Sequence, residues 1–552
     1  MIGILSFVGF TALVAIISYV ATRKTDESSS DGYFLGGRSL TAGVIAGSLL
    51  LTNLSTEQLV GLNGSAYTEG ILVMVWETLA AIAMVVTALY LLPRYLKSGL
   101  ITIPQFLANR FDVTTKTLTS ALFLTGYVVV LLPTILYSGS LAISGMFDVS
   151  NVLGVSENAA LWICIWGIGI IGSIYAIFGG LKAVAVSDAI NAIGLLIGGI
   201  LIPVFGLLII GEGSVTDGIS TLQTNIPEKF NAIGSSTSSV PFATIFTGMM
   251  LVQLFYWGTN QQIIQRALGA KNLKEGQKGL LLGSFIKILG PLIVVLPGII
   301  AFYMHQNEML SVSEPDQAYG ALVKKVLPPE LLGFFAAVLF GAILSSFNSV
   351  LNSAVTLFGV DIYKEHINTS ADEKTTVKYG KRFGIALAIG AMLIAPFLSE
   401  LDSIFDYLQR VNGIYSIPIL TIIFVGFMTK RVPAIAAKIG LLSGSILYII
   451  SEFVIRPMRV NAALEEASFM KITSPSDLNI IETNAYPHFL HIMAILFVLN
   501  VIIMLLIGRI KPRKVAYEQV FTNAVNITPW KYAKAVGVII IIIVIGVYLY
   551  YS

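Results

Sequence analysis

Cysteine is almost missing: Cys164 stands alone among 552 residues. One thiol excludes an internal disulfide and any cysteine-built metal site. Its place in an apolar run reads as a small packing residue. Charge is scarce too. Asp, Glu, Lys and Arg make up 12 % of the chain, about half of what a soluble domain carries. The formal net charge is only +3, so nothing points to a nucleic-acid partner. Four histidines, His305, His366, His488 and His491, fall in or near polar segments as ordinary solvated side chains. No metal cluster and no nucleophile–base pair marks an enzyme. The longest polar stretches, about 212–239 and 457–484, are too short for a separate catalytic domain.

Hydrophobic residues are what the chain has in excess, at 55 % and a mean hydropathy of +0.83. A bilayer offers no hydrogen bonds, so each crossing segment satisfies its own backbone as a helix of about 20 residues. Apolar windows fall at about 2–22, 40–62, 70–93, 118–145, 157–180, 184–211, 240–264, 279–304, 328–358, 383–399, 403–428, 433–455, 485–508 and 532–551, which predicts about 14 transmembrane helices. The first window lacks a positive flank and a small-residue cleavage site, so it reads as a retained helix and not a signal peptide. With the N-terminus outside, 26 of the 34 Lys and Arg fall in alternate, inward segments. Six fall outside, and Lys287 and Arg410 lie within helices. A missed helix would scramble this alternation, so the positive-inside rule supports both the count and outward-facing termini.

Ionisable and amide groups inside such spans are expensive unless they face protein or water. Glu57, Gln58, Glu77, Asp188, Lys287, Gln409 and Arg410 are of this kind. The segment Thr52 to Gln58 places six polar side chains in mid-span. A helix that breaks there exposes carbonyls and sets Asn53 and Gln58 on a cavity, as transporter helices do. The bland alternative is polar glue between helices. Ser345 and Ser346 either bond back to their own helix or offer hydroxyls to a hard cation such as sodium. Glu77 and Lys287 read equally as a structural ion pair and as partners of a polar solute. Arg410 reads as a snorkelling or gating arginine.

Several stretches, taken together, resemble the solute:sodium symporter family, particularly its sodium/galactose and sodium/glucose members. They are Tyr33–Leu40, Asn53–Gln58, Gly99–Phe106, Phe178–Val184, Tyr256–Gln261, Gln265–Arg266, Pro297–Gly298, Leu344–Ser346 and Asp361–Lys364. The resemblance implies an all-α polytopic membrane protein with a LeuT-type five-plus-five inverted repeat. An extra helix and loop would occupy 1–39, the first repeat 40–211, the inverted second repeat 240–430 and three peripheral helices 431–552. The implied activity is sodium-coupled symport of a galactose- or glucose-like hexose by alternating access, at the plasma membrane (the inner membrane of a Gram-negative cell). Its partners would be the sugar, sodium and the lipid bilayer. No cofactor is implied beyond sodium as the coupling ion.

The resemblance also implies roles. The sodium site would use Ala342, Ser345 and Ser346 with carbonyls of Leu51 and Leu54. Asp188 would lie on the sodium exit path. Asn53, Gln58, Glu77, Gln253, Lys287 and Gln409 would bind sugar, while Tyr256 and Trp76 would gate it. Gln253, Trp76 and Ala80 stand where the galactose pattern has asparagine, tyrosine and serine. Asn348 beside Ser349 departs from a second sodium site, which points to one sodium per solute. Amides that both donate and accept suit hydroxyls, whereas a carboxylate solute would call for an arginine or a helix N-terminus. Inositol, sialic acid or proline symport, a non-transporting sensor and a channel are the rival readings.

Overall fold

The computed structural model describes residues 2–23, 29–400, 404–472 and 474–552, and no strand occurs among them. Lys24 and the start of the 403–428 window lie outside the described residues, as do the side chains of Phe178 and Gly179. The principal helices are α1 (Ile2–Thr22), α2 (Ala42–Asn53), α3 (Thr56–Glu69), α4 (Val75–Val86), α5 (Ile103–Arg110), α6 (Val113–Gly126), α7 (Leu132–Phe147), α8 (Glu157–Ile210) and α9 (Gly248–Gly258). There follow α10 (Gln261–Leu268), α11 (Leu273–Val294), α12 (Leu296–Gln306), α13 (Pro329–Thr356), α14 (Glu373–Ile394), α15 (Ile404–Met428), α16 (Ala434–Ile450), α17 (Phe489–Ile510) and α18 (Ala533–Tyr550).

Eleven helices among the described residues are long and apolar enough to cross a membrane, and Ser6–Thr22 and Ala42–Asn53 are shorter apolar helices. The count of 14 is therefore not reached by length alone. The three expected windows without their own full-length span are 2–22, 40–62 and 240–264. The last two are helices interrupted in mid-course. The opposite happens at Gly180, where φ 58 and ψ −173 bend α8 sharply between the spans Glu157–Ile177 and Gly180–Ile210. Glycine adopts that backbone without a Cβ penalty. A Cβ there would also come within 3.1 Å of Tyr33.

At the centre α2 packs against α8 and α11, α8 lies along α13, and α4 meets both α9 and α11. The α16–α17 pair and α18 flank this core. Apolar side chains of α17 and α18 such as Ile495, Val498, Ile539 and Ile542 are exposed, as expected where lipid replaces water.

The charge alternation has a structural counterpart. Leu40 N donates to Gly269 O (3.1 Å), Arg38 Nη2 to Gly99 O (3.0 Å), Thr522 N to Lys97 O (3.0 Å) and Arg513 N to Arg431 O (2.8 Å). These contacts gather the basic segments on one face of the bundle. Segments predicted opposite meet one another instead: Ala232 N donates to Tyr551 O (2.8 Å) and Lys229 Nζ to Tyr67 O (3.0 Å).

Candidate functional site

The break after α2 follows from the local sequence. Leu54 closes the helix by donating to Leu50 O (2.8 Å), then turns to φ −79, ψ 61, and Ser55 is extended. A helix end leaves its last four carbonyls outside the ladder, here those of Leu51 to Leu54. α3 restarts with Leu59 N on Ser55 O (2.9 Å). Ser and Asn favour such junctions because their side chains compete with the backbone.

The gap is bridged by α13. Ser346 Oγ donates to Thr52 O at 3.0 Å. Thr52 Oγ1 lies 3.5 Å from Ser345 Oγ and 3.0 Å from Ser349 Oγ. Ser349 itself donates to Ser345 O (2.6 Å). Leu51, Leu54 and Ala342 are fully buried around this contact. The structure thus brings the five predicted sodium residues to one junction and adds Thr52, which the sequence reading did not single out.

Asp188 joins the same network. Ser48 Oγ donates to Asp188 Oδ2 at 2.6 Å and accepts from Arg266 Nε at 3.2 Å. Arg266 also donates to Ser349 Oγ and to Gln262 O. Sequence reasoning counted Arg266 as a loop charge, yet it is fully buried. It reaches the centre because a second helix breaks there. α9 ends at Gly258, and Asn260 caps α10 by accepting from Gln262 N (3.2 Å). The only sequence signal was a glycine and a cap-type asparagine within an apolar window.

Between the two breaks lies a cavity of about 800 Å³, counting its open mouth. Asn53, Gln58, Trp76, Glu77, Gln253, Tyr256, Gln409 and Ser346 all line it. So do Glu57, Asn260, Gln262, Asn412, Tyr415 and Ser416, to which the sequence reading gave no role. Lys287 is not among the lining residues. It stands behind Glu77, with Nζ 2.5 Å from Glu77 Oε2 and 5.5 Å from the Trp257 ring centre. A side chain at Gly290 would collide with Glu77. Gln253 spends both ends of its amide locally, donating to Trp76 O (2.9 Å) and accepting from Trp257 Nε1 (3.2 Å). Tyr256 packs edge-on to Trp257 with Asn53 and Gln262 beside its hydroxyl. Arg410 is held by Glu452 and faces Phe489. No group of three metal-ligating side chains occurs among the described residues.

The model of the sodium:solute symporter family matches residues 33–444. The chain belongs to that family. It is 46 % identical over 99 % of its length, and 90 % of the relative's, to an uncharacterized Escherichia coli symporter, YidK. It is 32 % identical to a Vibrio parahaemolyticus sodium/glucose cotransporter, covering 80 % of this chain and 83 % of that one. A human sodium/myo-inositol cotransporter 2 shares 28 % identity over 79 % of this chain and 67 % of its own. A solved Na+-coupled sialic acid symporter, in a substrate-bound outward-open state, superposes with a TM-score of 0.72 at 19 % identity, over 94 % of this chain and 99 % of that one. The symporter therefore has the all-α LeuT-type fold that the motifs implied, and it is a multi-pass membrane transporter coupled to sodium.

Proposed function

We propose that this symporter carries a galactose- or glucose-like hexose together with one sodium ion. The observation that supports it most is the junction at Thr52–Ser55. Thr52 O, a carbonyl released by the helix break, accepts from Ser346 Oγ, and Ser345 Oγ lies 3.5 Å from Thr52 Oγ1, directly beside a cavity ringed by amides. Sodium, as a co-transported substrate, would be held by Ser345 and Ser346 with carbonyls of Leu51, Leu54 and Ala342. Such a neutral oxygen cage lets the ion leave again. Asn53, Gln58, Gln253 and Gln409 would exchange hydrogen bonds with sugar hydroxyls, as would Glu77 with Lys287 behind it. Ser349 is already committed to Ser345 O and Arg266, which favours one sodium over two.

Sodium binding bridges α2 and α13 and favours the outward-open state. Solute then packs against Trp76 and Tyr256, the bundle rocks, and Asp188 lies on the path by which sodium leaves. Residues 40–211 and 240–430 act as the inverted repeats. The basic face is cytoplasmic, and both termini lie outside. A ligand shifts such states only by binding them differently. A tenfold sodium gradient and about 100 mV together supply roughly 3.7 kcal/mol per sodium, enough to concentrate a neutral sugar on the order of 500-fold.

The test is uptake of labelled hexoses into proteoliposomes under a sodium gradient, with inositol, sialic acid and proline as competitors. Hexoses compete and the others do not. Ser346→Ala, one hydroxyl smaller, folds and loses sodium-dependent uptake by about a hundredfold, the scale of about 3 kcal/mol. Normal sodium stimulation in that variant removes the sodium site, and competition by proline or sialic acid alone removes the sugar.

A further inference from the structure

We propose that the segment 511–532, between α17 and α18, is a latch on the cytoplasmic face, and that its middle lets go when the inner side opens between α4–α11 and α15–α17. The inference rests on the alternating-access reading above and adds a part that controls the motion. The helices at the two ends of the segment belong to different groups. α17 packs on α15 and α16, whereas α18 packs on α4 and α11. α4 carries Trp76 and Glu77 and α15 carries Gln409, all on the cavity wall. A separation of the two groups at the inner side has to stretch what joins them.

The segment is fastened at three places. Its start is held at the α15–α16 turn. Tyr517 N donates to Lys430 O (2.9 Å) and Arg513 Nη1 to Arg110 O (2.8 Å), and the Arg110 guanidinium lies 5.2 Å from the Tyr517 ring centre. Arg110 is fully buried and donates to Gly426 O, Thr429 O and Val432 O, so this anchor is stiff. The far end is held at the start of α11. Leu273 N donates to Asn526 O (2.9 Å) and Trp530 N to Gln277 Oε1 (2.8 Å), beside a buried Val525. The middle crosses the inner end of α4, whose path runs on to Lys97. There Gln519 Nε2 donates to Arg94 O (2.9 Å) and Ser98 Oγ (2.7 Å), Ser98 Oγ to Val520 O (3.1 Å) and Thr522 N to Lys97 O (3.0 Å). Gly99, at φ 62, makes room for the crossing, since a Cβ there would fall 2.5 Å from Thr522 Oγ1.

The middle is the weak fastening. Residues 511–524 all keep solvent exposure, and Val515 and Val520 are 74 % and 69 % exposed. Hydrogen bonds hold this half without apolar burial, and such regions open at low cost. Chain length gives the opening a consequence. With the middle closed, two residue steps separate Tyr517 from Gln519, about 7 Å of extended chain. With the middle released and both ends held, nine steps separate Tyr517 from Asn526, roughly 30 Å. The same segment is a short tether when closed and a slack one when released.

The experiment measures the distance between spin labels at Lys274→Cys, on α11, and Ile435→Cys, on α16, in the purified full-length protein. Both positions are exposed, and Cys164→Ala removes the chain's one other thiol. Gln519→Ala deletes two of the middle bonds and raises the ratio of long to short distances about tenfold. Ser98→Ala, which also deletes two, does the same, and the melting temperature stays as it was in both. An unaltered ratio in both variants overturns the proposal. So does a longer distance gained only together with a lower melting temperature, which makes the segment a structural brace. Should Gln519→Ala not fold, Ser98→Ala decides alone. The labels report the helices directly and need neither solute nor ion. A raised ratio in a protein that takes up no hexose sinks the sugar reading and leaves the latch standing.

Discussion

One continuous helix carries two buried polar regions that are built differently. At Ser345 and Ser346, midway along α13, neighbouring polar atoms are left over: Asn53 Oδ1, Ser55 Oγ and Asn348 Oδ1 make no hydrogen bond among the described residues. At Asp361, on the wide-pitched continuation Leu357–Ile367, no buried polar atom is left over among the described residues. Thr102 Oγ1 donates to both carboxylate oxygens (3.1 and 3.0 Å) and Ser120 Oγ to one (3.0 Å). Lys116 lies 3.9 Å from Asp361 and 2.5 Å from Glu365. Thr102 caps α5 and Asp361 clamps that cap to α6. A completed set of bonds is a joint. An incomplete set in a cavity wall is a surface for something that moves. Both regions fall in family-resembling stretches, so motif membership alone does not tell joint from site.

The comparison predicts opposite phenotypes. Loss of Ser346 Oγ abolishes coupling and leaves the fold, as argued above. Lys287→Met, one layer behind the cavity wall, leaves Glu77 buried without a counter-charge. Such a loss costs about 4 kcal/mol, read as a large drop in melting temperature in detergent. Pairing it with Glu77→Gln restores most of the stability but not the sugar affinity. If the double variant transports normally, the pair belongs with the joints. Asp361→Ala strands Thr102, Ser120 and part of Lys116. It costs about 3 kcal/mol of stability, while sodium affinity in the protein that does fold stays as it was. A change in sodium affinity at unaltered stability would erase the contrast.

How much of this was legible in sequence follows the same division. The break at Asn53–Ser55 was legible because six polar side chains interrupt an apolar window, and the serine pair because two hydroxyls sit together in another. The break at Thr259–Asn260 was not, since Met249, Met250, Leu251, Val252, Leu254 and Phe255 carry an apolar run almost to the turn. Arg266 was counted among the inward basic segments for the same reason: next to a supposed helix end it looks like a loop charge, whereas the broken helix carries it inward to Ser48 and Ser349. Lys287 was placed in the wall when it stands one layer behind, because periodicity cannot order two partners along a line. Buried acceptors without a partner among the described residues, such as Gln262 Oε1, were invisible to any pattern, being a property of what surrounds them.

The gentlest test lies at the opposite face, in a third kind of site. Asp316 sits on the turn Pro315–Gln317 between α12 and α13, neither clamped like Asp361 nor facing the cavity. It packs tightly against the far end of α3: a Cβ on Gly64 would fall 2.7 Å from its Oδ1. Burial, helped by the nearby Glu314, pushes its carboxyl up to about 6 from an ordinary 3.8. The folded protein therefore holds this proton more tightly than the unfolded chain does. Stability falls as pH rises from about 4 to about 6 and is flat above, where the cost of the buried charge is complete. The side chain keeps partial exposure, so screening reduces that cost to about 1 kcal/mol. Asp316→Asn removes it. The variant melts a few degrees above the unmodified protein near neutral pH, and the two converge near pH 4. A difference that persists to low pH assigns the gain to packing against Gly64 instead of to charge, and places Asp316 with the joints.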